Sequence, residues 1–268
     1  MPNHALSAER KKPRPLKSPL DLLNVYWRGK MAYGETVSSE IVVWLGAIAT
    51  FLAVLVALFK EELVRMWRRP ELNAWIKLAA PDCHKTEMTA FAQKSGSILY
   101  KADCYYLRLW VENSGNQRAE KIQVFVSKLL RRHANGSFVE DKAFLPMNLK
   151  WSHSQISPLG PEIFADGISP QMGKHCDFGQ IIDPSKRAMF GHVPREDMPG
   201  KTILALDLEV APATLSHLIS PGIYRFELKL AAANLEPITK VIEINLTGDW
   251  YADENKMFAD GIGIKEIK

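Results

Sequence analysis

The residues best equipped for chemistry are two adjacent ligand pairs, Cys83-His84 and His175-Cys176, with His153 and Cys104 as further donors. Those types suit zinc, which takes four thiolate or imidazole ligands in a tetrahedron, usually at C-x2-C or H-x3-H spacing. Neighbours on a strand point to opposite faces, so each dipeptide readily offers only one ligand. The expectation is no metal and no cofactor, with Cys104 and Cys176 as small core residues on strands and the histidines at the surface. Nucleophilic catalysis has less behind it, because the chain carries no G-x-S-x-G elbow, P-loop, H-E-x-x-H or dinucleotide fingerprint. The Asp249-Trp-Tyr-Ala-Asp253-Glu254 run lacks the glycine and the regular acidic spacing of calcium loops and reads as a solvated turn. Trp110, Trp151 and Trp250 are candidates for a stacking surface, against the commoner role of aromatic residues in filling or edging a core. These residues give no catalytic assignment.

The elements that must position them begin with IVVWLGAIATFLAVLVALF, the nineteen residues from Ile41 to Phe59, which contain no charge. At 1.5 Å per residue the run is about 28 Å long, enough to cross a bilayer core of about 30 Å. It reads as a single transmembrane helix, with Trp44 in its first turn. It begins forty residues in and has no small-residue cleavage site after it, so it is not a cleaved signal peptide. Ala49, Ala53 and Ala57 recur at i+4 and form a small-residue stripe suited to helix packing and to a homo-oligomer through the span. With no ionisable group inside it, the span offers no ion or proton pathway.

Residues 1–40 read as a disordered basic tail and a juxtamembrane segment. Pro2, Pro13, Pro15 and Pro19 lie among basic residues, and residues 20–33 mix apolar side chains with Arg28 and Lys30, as either an interfacial helix or a linker. Past Phe59, residues 60–70 read as a helical stalk, with Glu61 and Arg65 paired at i,i+4 and Pro70 as the stop. Lys60, Arg65, Arg68 and Arg69 are placed to meet lipid headgroups. Lys and Arg within twenty residues of the span are more numerous on its C-terminal side, which puts the large domain in the cytoplasm at the plasma (inner) membrane; the distant cluster from Arg10 to Lys17 counts the other way.

From residue 71 the hydrophobic period changes to two. Leu72, Ala74, Ile76 and Leu78 alternate with Asn73, Trp75 and Lys77; Tyr105, Leu107, Leu109 and Val111 alternate with Tyr106, Arg108, Trp110 and Glu112. Residues 113–116 (Asn-Ser-Gly-Asn) turn the chain into a strand with Ile122, Val124 and Val126 on one face, as a hairpin or as a corner between two sheets. A second turn at Asn135-Gly136 is followed by a short run around Phe138. Further strands are expected at 147–151, 176–181, 203–210, 222–230, 238–246 and 261–267. Residues 71–268 therefore read as one antiparallel β-sandwich. Two stretches rich in Pro and Gly, 152–174 and 183–200, fall outside the strands and are the first choice for a partner surface.

LRLWVENSGNQRAEKIQVFVS (residues 107–127) resembles the strand-turn-strand of immunoglobulin-like and CARDB-type modules, in which V-x-N-x-G precedes an Ala and an alternating apolar strand. ISPGIYRFELKLAAAN (residues 219–234) resembles a late strand of such sandwiches, where Pro-Gly opens a Tyr-containing strand. The resemblance implies an immunoglobulin-like sandwich of the binding-module kind and no particular activity; the Cys-Trp-Cys hallmark of antibody-type domains is absent.

The net charge of +4 sits largely in the first thirty residues, so the remainder lacks the basic footprint of a nucleic-acid-binding domain. Three cysteines cannot all pair, which suits reduced thiols and a cytoplasmic domain. The expected protein is a single-pass, membrane-anchored, non-catalytic interaction or sensing module with a protein partner and membrane lipids as its contacts. The competing expectation is an effector that senses a signal and oligomerises to permeabilise the bilayer.

Overall fold

A computed structural model describes residues 19–92, 96–153 and 165–267. The chain divides into two compact units, Met1–Arg65 and Met66–Lys268. The proline-rich tail read at the N-terminus lies, for residues 1–18, outside the described residues.

One long helix, α1 (Pro19–Trp67), contains the apolar run, the juxtamembrane segment and the start of the stalk. The juxtamembrane segment is thus helical and continuous with the span. Residues Ser39–Glu62 are a helical stretch long and apolar enough to cross a membrane. Thr50, whose hydroxyl needs a partner in lipid, donates from Oγ1 to the Gly46 carbonyl at 2.9 Å. The helix ends at Trp67, two residues before the expected Arg69. Pro70 disfavours helical geometry at Arg69, and the Arg69 N–H is taken by the Asn116 side chain at 3.0 Å.

The second unit is mainly β, as its alternation requires. Among its described residues are the strands β1 (Leu72–Trp75), β2 (Cys83–Phe91), β3 (Ile98–Asn113), β4 (Ala119–Arg132), β5 (Phe138–Glu140), β6 (Met147–Asn148) and β7 (Lys150–Trp151). They are followed by β8 (Ala165–Ile168), β9 (Met172–Ile182), β10 (Leu204–Leu206), β11 (Leu218–Ile219), β12 (Gly222–Ala232), β13 (Leu235–Leu246) and β14 (Ile262–Ile267). The first sheet runs β1-β3-β9-β10-β11, with β2 also on β3 and β7 also on β9; the second runs β14-β13-β12-β4-β5, with β6 and β8 also on β4. Every pairing is antiparallel.

The core lies between the sheets. Leu107, Leu109 and Val111 of β3 and Ile122, Val124 and Val126 of β4, each set alternating along its strand as expected, are all fully buried in one core cluster, and Phe178 of the first sheet meets Phe226 of the second edge to face at 5.3 Å. The Asn-Ser-Gly-Asn turn is the corner between sheets rather than a hairpin, since β3 and β4 belong to different ones. The turn at Asn135-Gly136 joins the hairpin of β4 and β5.

Sheet exchange recurs at Leu149. Its N–H donates to Val124 of the second sheet at 2.9 Å, and the next N–H, of Lys150, donates to Asp207 beside the first sheet at 3.1 Å. Leu149 itself is fully buried.

Several expected strands differ in extent. The strand from residue 71 ends at Trp75, although Ile76 and Leu78 still pack on the core; the Lys77 N–H is diverted to the Asp82 carboxylate at 3.2 Å, which starts a tight turn. The run 203–210 holds only three residues of ladder, β10. Within the stretch 152–174, β8 pairs with the start of β4, β9 begins at Met172, and residues 154–164 lie outside the described residues.

Candidate functional site

The ligand pairs behave as strand geometry demands. Cys83 and Cys176 point into the core while His84 and His175 lie on the outer face of the first sheet; Cys104 is buried in a small cluster with Ala102 and Ile182. All three cysteines are free and buried. Burial pushes the thiols of Cys83 and Cys104 up to about 12, and that of Cys176 well above its ordinary value. Burial keeps such thiols protonated near neutral pH. His84 accepts from Arg108 Nη2 at 2.9 Å on Nδ1, and burial together with that guanidinium lowers its pKa. His175 meets Asp82 at 3.0 Å through Nε2. Each histidine is thus engaged with a different partner, and among the described residues no group of three or more His, Cys, Asp or Glu is placed to hold a metal ion.

The other sequence candidates separate in the same way. Asp249 accepts from Lys201 at 2.8 Å, Asp253 caps the N–H of Lys256 at 2.9 Å, and Glu254 accepts the Lys85 N–H at 2.6 Å, so the three carboxylates serve three contacts. Of the tryptophans, Trp151 is buried and Trp250 packs on Tyr105 at 5.1 Å between ring centroids. Only Trp110 stands half-exposed on the outer face, and its cross-strand partner there is Trp75. The stacking trio does not form. Ile41, Trp44 and Phe59 of the span are exposed, as are Ala49, Ala53, Ala57, Lys60, Arg68 and Arg69. Arg65 lies in α1, with its side chain outside the description.

Residues 183–200 are not an open loop. A short 3-10 helix, Arg187–Phe190, is built around the guanidinium of Arg187, which is 3 % exposed. That group donates to the carbonyls of His192 at 2.7 Å and Met198 at 3.1 Å and pairs with Asp197. A sequence reading had no signal for this, because a buried arginine looks like any surface one until its acceptors are in place.

The loop's next residues line a cleft of about 330 Å³. Leu129 and Arg131 of β4 and Tyr224 of β12 form one wall; Leu218 and Ile219 of β11 form another; Arg195 and Glu196 stand at the rim with Asp141 and Ser216. Arg131 lies over the Tyr224 ring, 5.9 Å from its centroid. Burial raises the Tyr224 pKa, with Asp141 and Glu196 adding to the rise and Arg131 opposing it. The floor of the cleft is apolar and its rim carries both signs of charge, a composition common among ligand sites in general.

On the outer face of the first sheet, Asp177 accepts from the Ser152 hydroxyl. Burial and then the neighbouring Asp177 push Asp207 up to about 6. The Ser152 hydroxyl is directed at Asp177 rather than at His175, whose Nε2 is directed at Asp82. The arrangement therefore does not present Ser152 as an activated nucleophile.

Comparison of the chain with protein-family models, with curated proteins and with solved structures returned no match.

Proposed function

We propose that this chain is a single-pass, membrane-anchored binding module whose β-sandwich captures a protein segment or small ligand at the cytoplasmic face of the plasma (inner) membrane. The observation that carries the reading is the cleft between the sheets, to which the loop selected from sequence contributes Pro194, Arg195 and Glu196. The apolar helix Ser39–Glu62 supports the anchor. The basic residues after the span support the cytoplasmic side, and the sequence resemblance to immunoglobulin-like and CARDB-type modules agrees with binding rather than turnover. The test is the full-length chain carrying Arg195→Ala and Glu196→Ala. Both are rim residues, so the chain should still insert and fold while its co-purifying partner or ligand is lost. An unchanged set of bound molecules refutes the cleft as the binding face.

A second reading, an effector that oligomerises in the bilayer, draws on Ala49, Ala53 and Ala57, which lie exposed along the span. Under it Ala53→Leu abolishes crosslinked oligomers in membranes; oligomers of unchanged yield exclude it.

A further inference from the structure

We propose that the outer face of the first sheet around Trp75, Trp110 and Lys77 rests on the headgroup layer of an anionic bilayer. The inference depends on the membrane anchor proposed above and adds which surface of the sandwich meets lipid.

The two tryptophans are directly opposed across β1 and β3. The Trp110 indole lies flat on the β9 backbone at Gly173, where a Cβ would fall 2.3 Å from its ring, and the His175 ring stands edge-on at 4.8 Å. With Lys77 and the turn Ala79, Ala80 and Pro81, the two indoles line a shallow cleft of about 280 Å³. The one acid of that cleft, Asp82, is buried, and its two oxygens are used by His175 at 3.0 Å and the Lys77 N–H at 3.2 Å. The exposed charge of the cleft is therefore the Lys77 ammonium, 5.9 Å from the Trp75 ring centroid. Half-exposed indoles beside a lysine, whose stem is apolar and whose head reaches for phosphate, are the composition that partitions to a bilayer interface.

Chain length places this face within reach. From Phe59 to the helix end at Trp67 the rise is about 12 Å, against about 5–7 Å for one headgroup layer. Trp75 follows Trp67 by eight residues. Arg69 and Glu71 are fixed to the turn after β3 by Asn116 and Asn113, so the tether enters the sandwich at the β1 end of this face. Another exposed apolar group, Phe91, Ile98 and Leu99 on the β2–β3 hairpin, lies at the opposite end of the sixteen-residue β3, about 50 Å along the strand.

The test reconstitutes the full chain in bilayers of brominated phosphatidylcholine, with and without phosphatidylglycerol, and measures tryptophan quenching. The variants are Trp75→Phe with Trp110→Phe, Trp44→Phe for the span, Trp250→Phe as a control, and Lys77→Glu, an exposed substitution that leaves the fold alone. Quenchable emission should fall in the Trp75/Trp110 variant and not in the Trp250 variant. Phosphatidylglycerol should increase the quenching of the parent chain, and Lys77→Glu should abolish that increase. If quenching is the same with and without Trp75 and Trp110, or if Lys77→Glu leaves the lipid dependence intact, the face points elsewhere or is covered by a protein or soluble ligand, and the proposal is overturned. Trp44 separates the two readings: loss of its quenching removes the anchor, whereas quenched Trp44 beside unquenched Trp75 and Trp110 removes only the docked face.

Discussion

Replacing Asn113 tests how the sandwich is held at its tethered end. The side chain is fully buried, and its amide donates to the carbonyls of Gln117 at 2.7 Å and Ile168 at 3.0 Å while its oxygen accepts from the N–H groups of Glu71 and Gly115, both at 3.1 Å. Asn113→Ala leaves four backbone groups without that partner. At about 1 kcal/mol net per bond the loss is about 4 kcal/mol. In a domain of this size each kcal/mol moves the melting temperature by about 2–4 °C, so the fall should be about 8–16 °C. Asn113→Asp is more discriminating because shape and both acceptor bonds are kept. Its second oxygen then faces two carbonyl oxygens, a contact that only the protonated acid can tolerate. The introduced acid therefore has a raised pKa in the folded state. Stability from such a group is fully present below its unfolded value and is lost as pH rises through the folded one. The Asp variant should come nearest the parent chain at about pH 4, close to the unfolded value, and fall away by about pH 8. The assay is near-ultraviolet circular dichroism of the full chain in detergent or nanodiscs, which follows the packed aromatic residues. An Asn113→Ala shift under about 3 °C, or an Asp variant with no pH dependence beyond the parent's, would refute the reasoning.

Two further outcomes follow from the first sheet. Burial and Asp177 hold Asp207 at about 6, above its unfolded value of 3.8, so its contribution is fully present below the unfolded value and is lost as pH rises to about 6; Asp207→Asn should flatten the melting temperature between about pH 4 and about pH 6, and an unaltered slope counts against the assignment. Gly173→Ala puts a methyl group 2.3–2.7 Å from three Trp110 ring atoms and should cost about 1–3 kcal/mol as the indole lifts from β9. A red shift in the emission assigned to Trp110 checks the displacement, and unchanged emission with unchanged stability contradicts it.

The parts of this fold legible in the sequence are those whose burial has a period. Leu107, Leu109 and Val111 alternate because one face of β3 is core and the other is not. β2 escaped the reading because its residues Lys85, Thr86, Glu87 and Thr89 sit on a strand with little buried on either face. Asn113 was visible as a turn residue but not as a four-bond hub, since its partners Glu71 and Ile168 are 42 and 55 residues away in sequence. Trp75 read as a solvent-facing alternate of a strand, and its pairing with Trp110 became visible only with the register of β1 on β3. The loop of residues 183–200 stands out in the sequence by its prolines, whereas its order comes from Arg187, whose acceptors lie within eleven residues yet converge only in the folded turn.

The crossing at Leu149 sets how the sequence can vary. Because consecutive N–H groups there serve opposite sheets, the segment has no slack, and one residue gained or lost between β6 and β7 would put Met147 or Trp151 out of phase. Trp151, which is 1 % exposed, would be turned to the solvent side by such a one-residue slip. Length changes should therefore accumulate among variants of this chain in the hairpin between β4 and β5 and be absent across residues 147–151, a pattern of insertions and deletions that a collection of related genes would display without any protein being made.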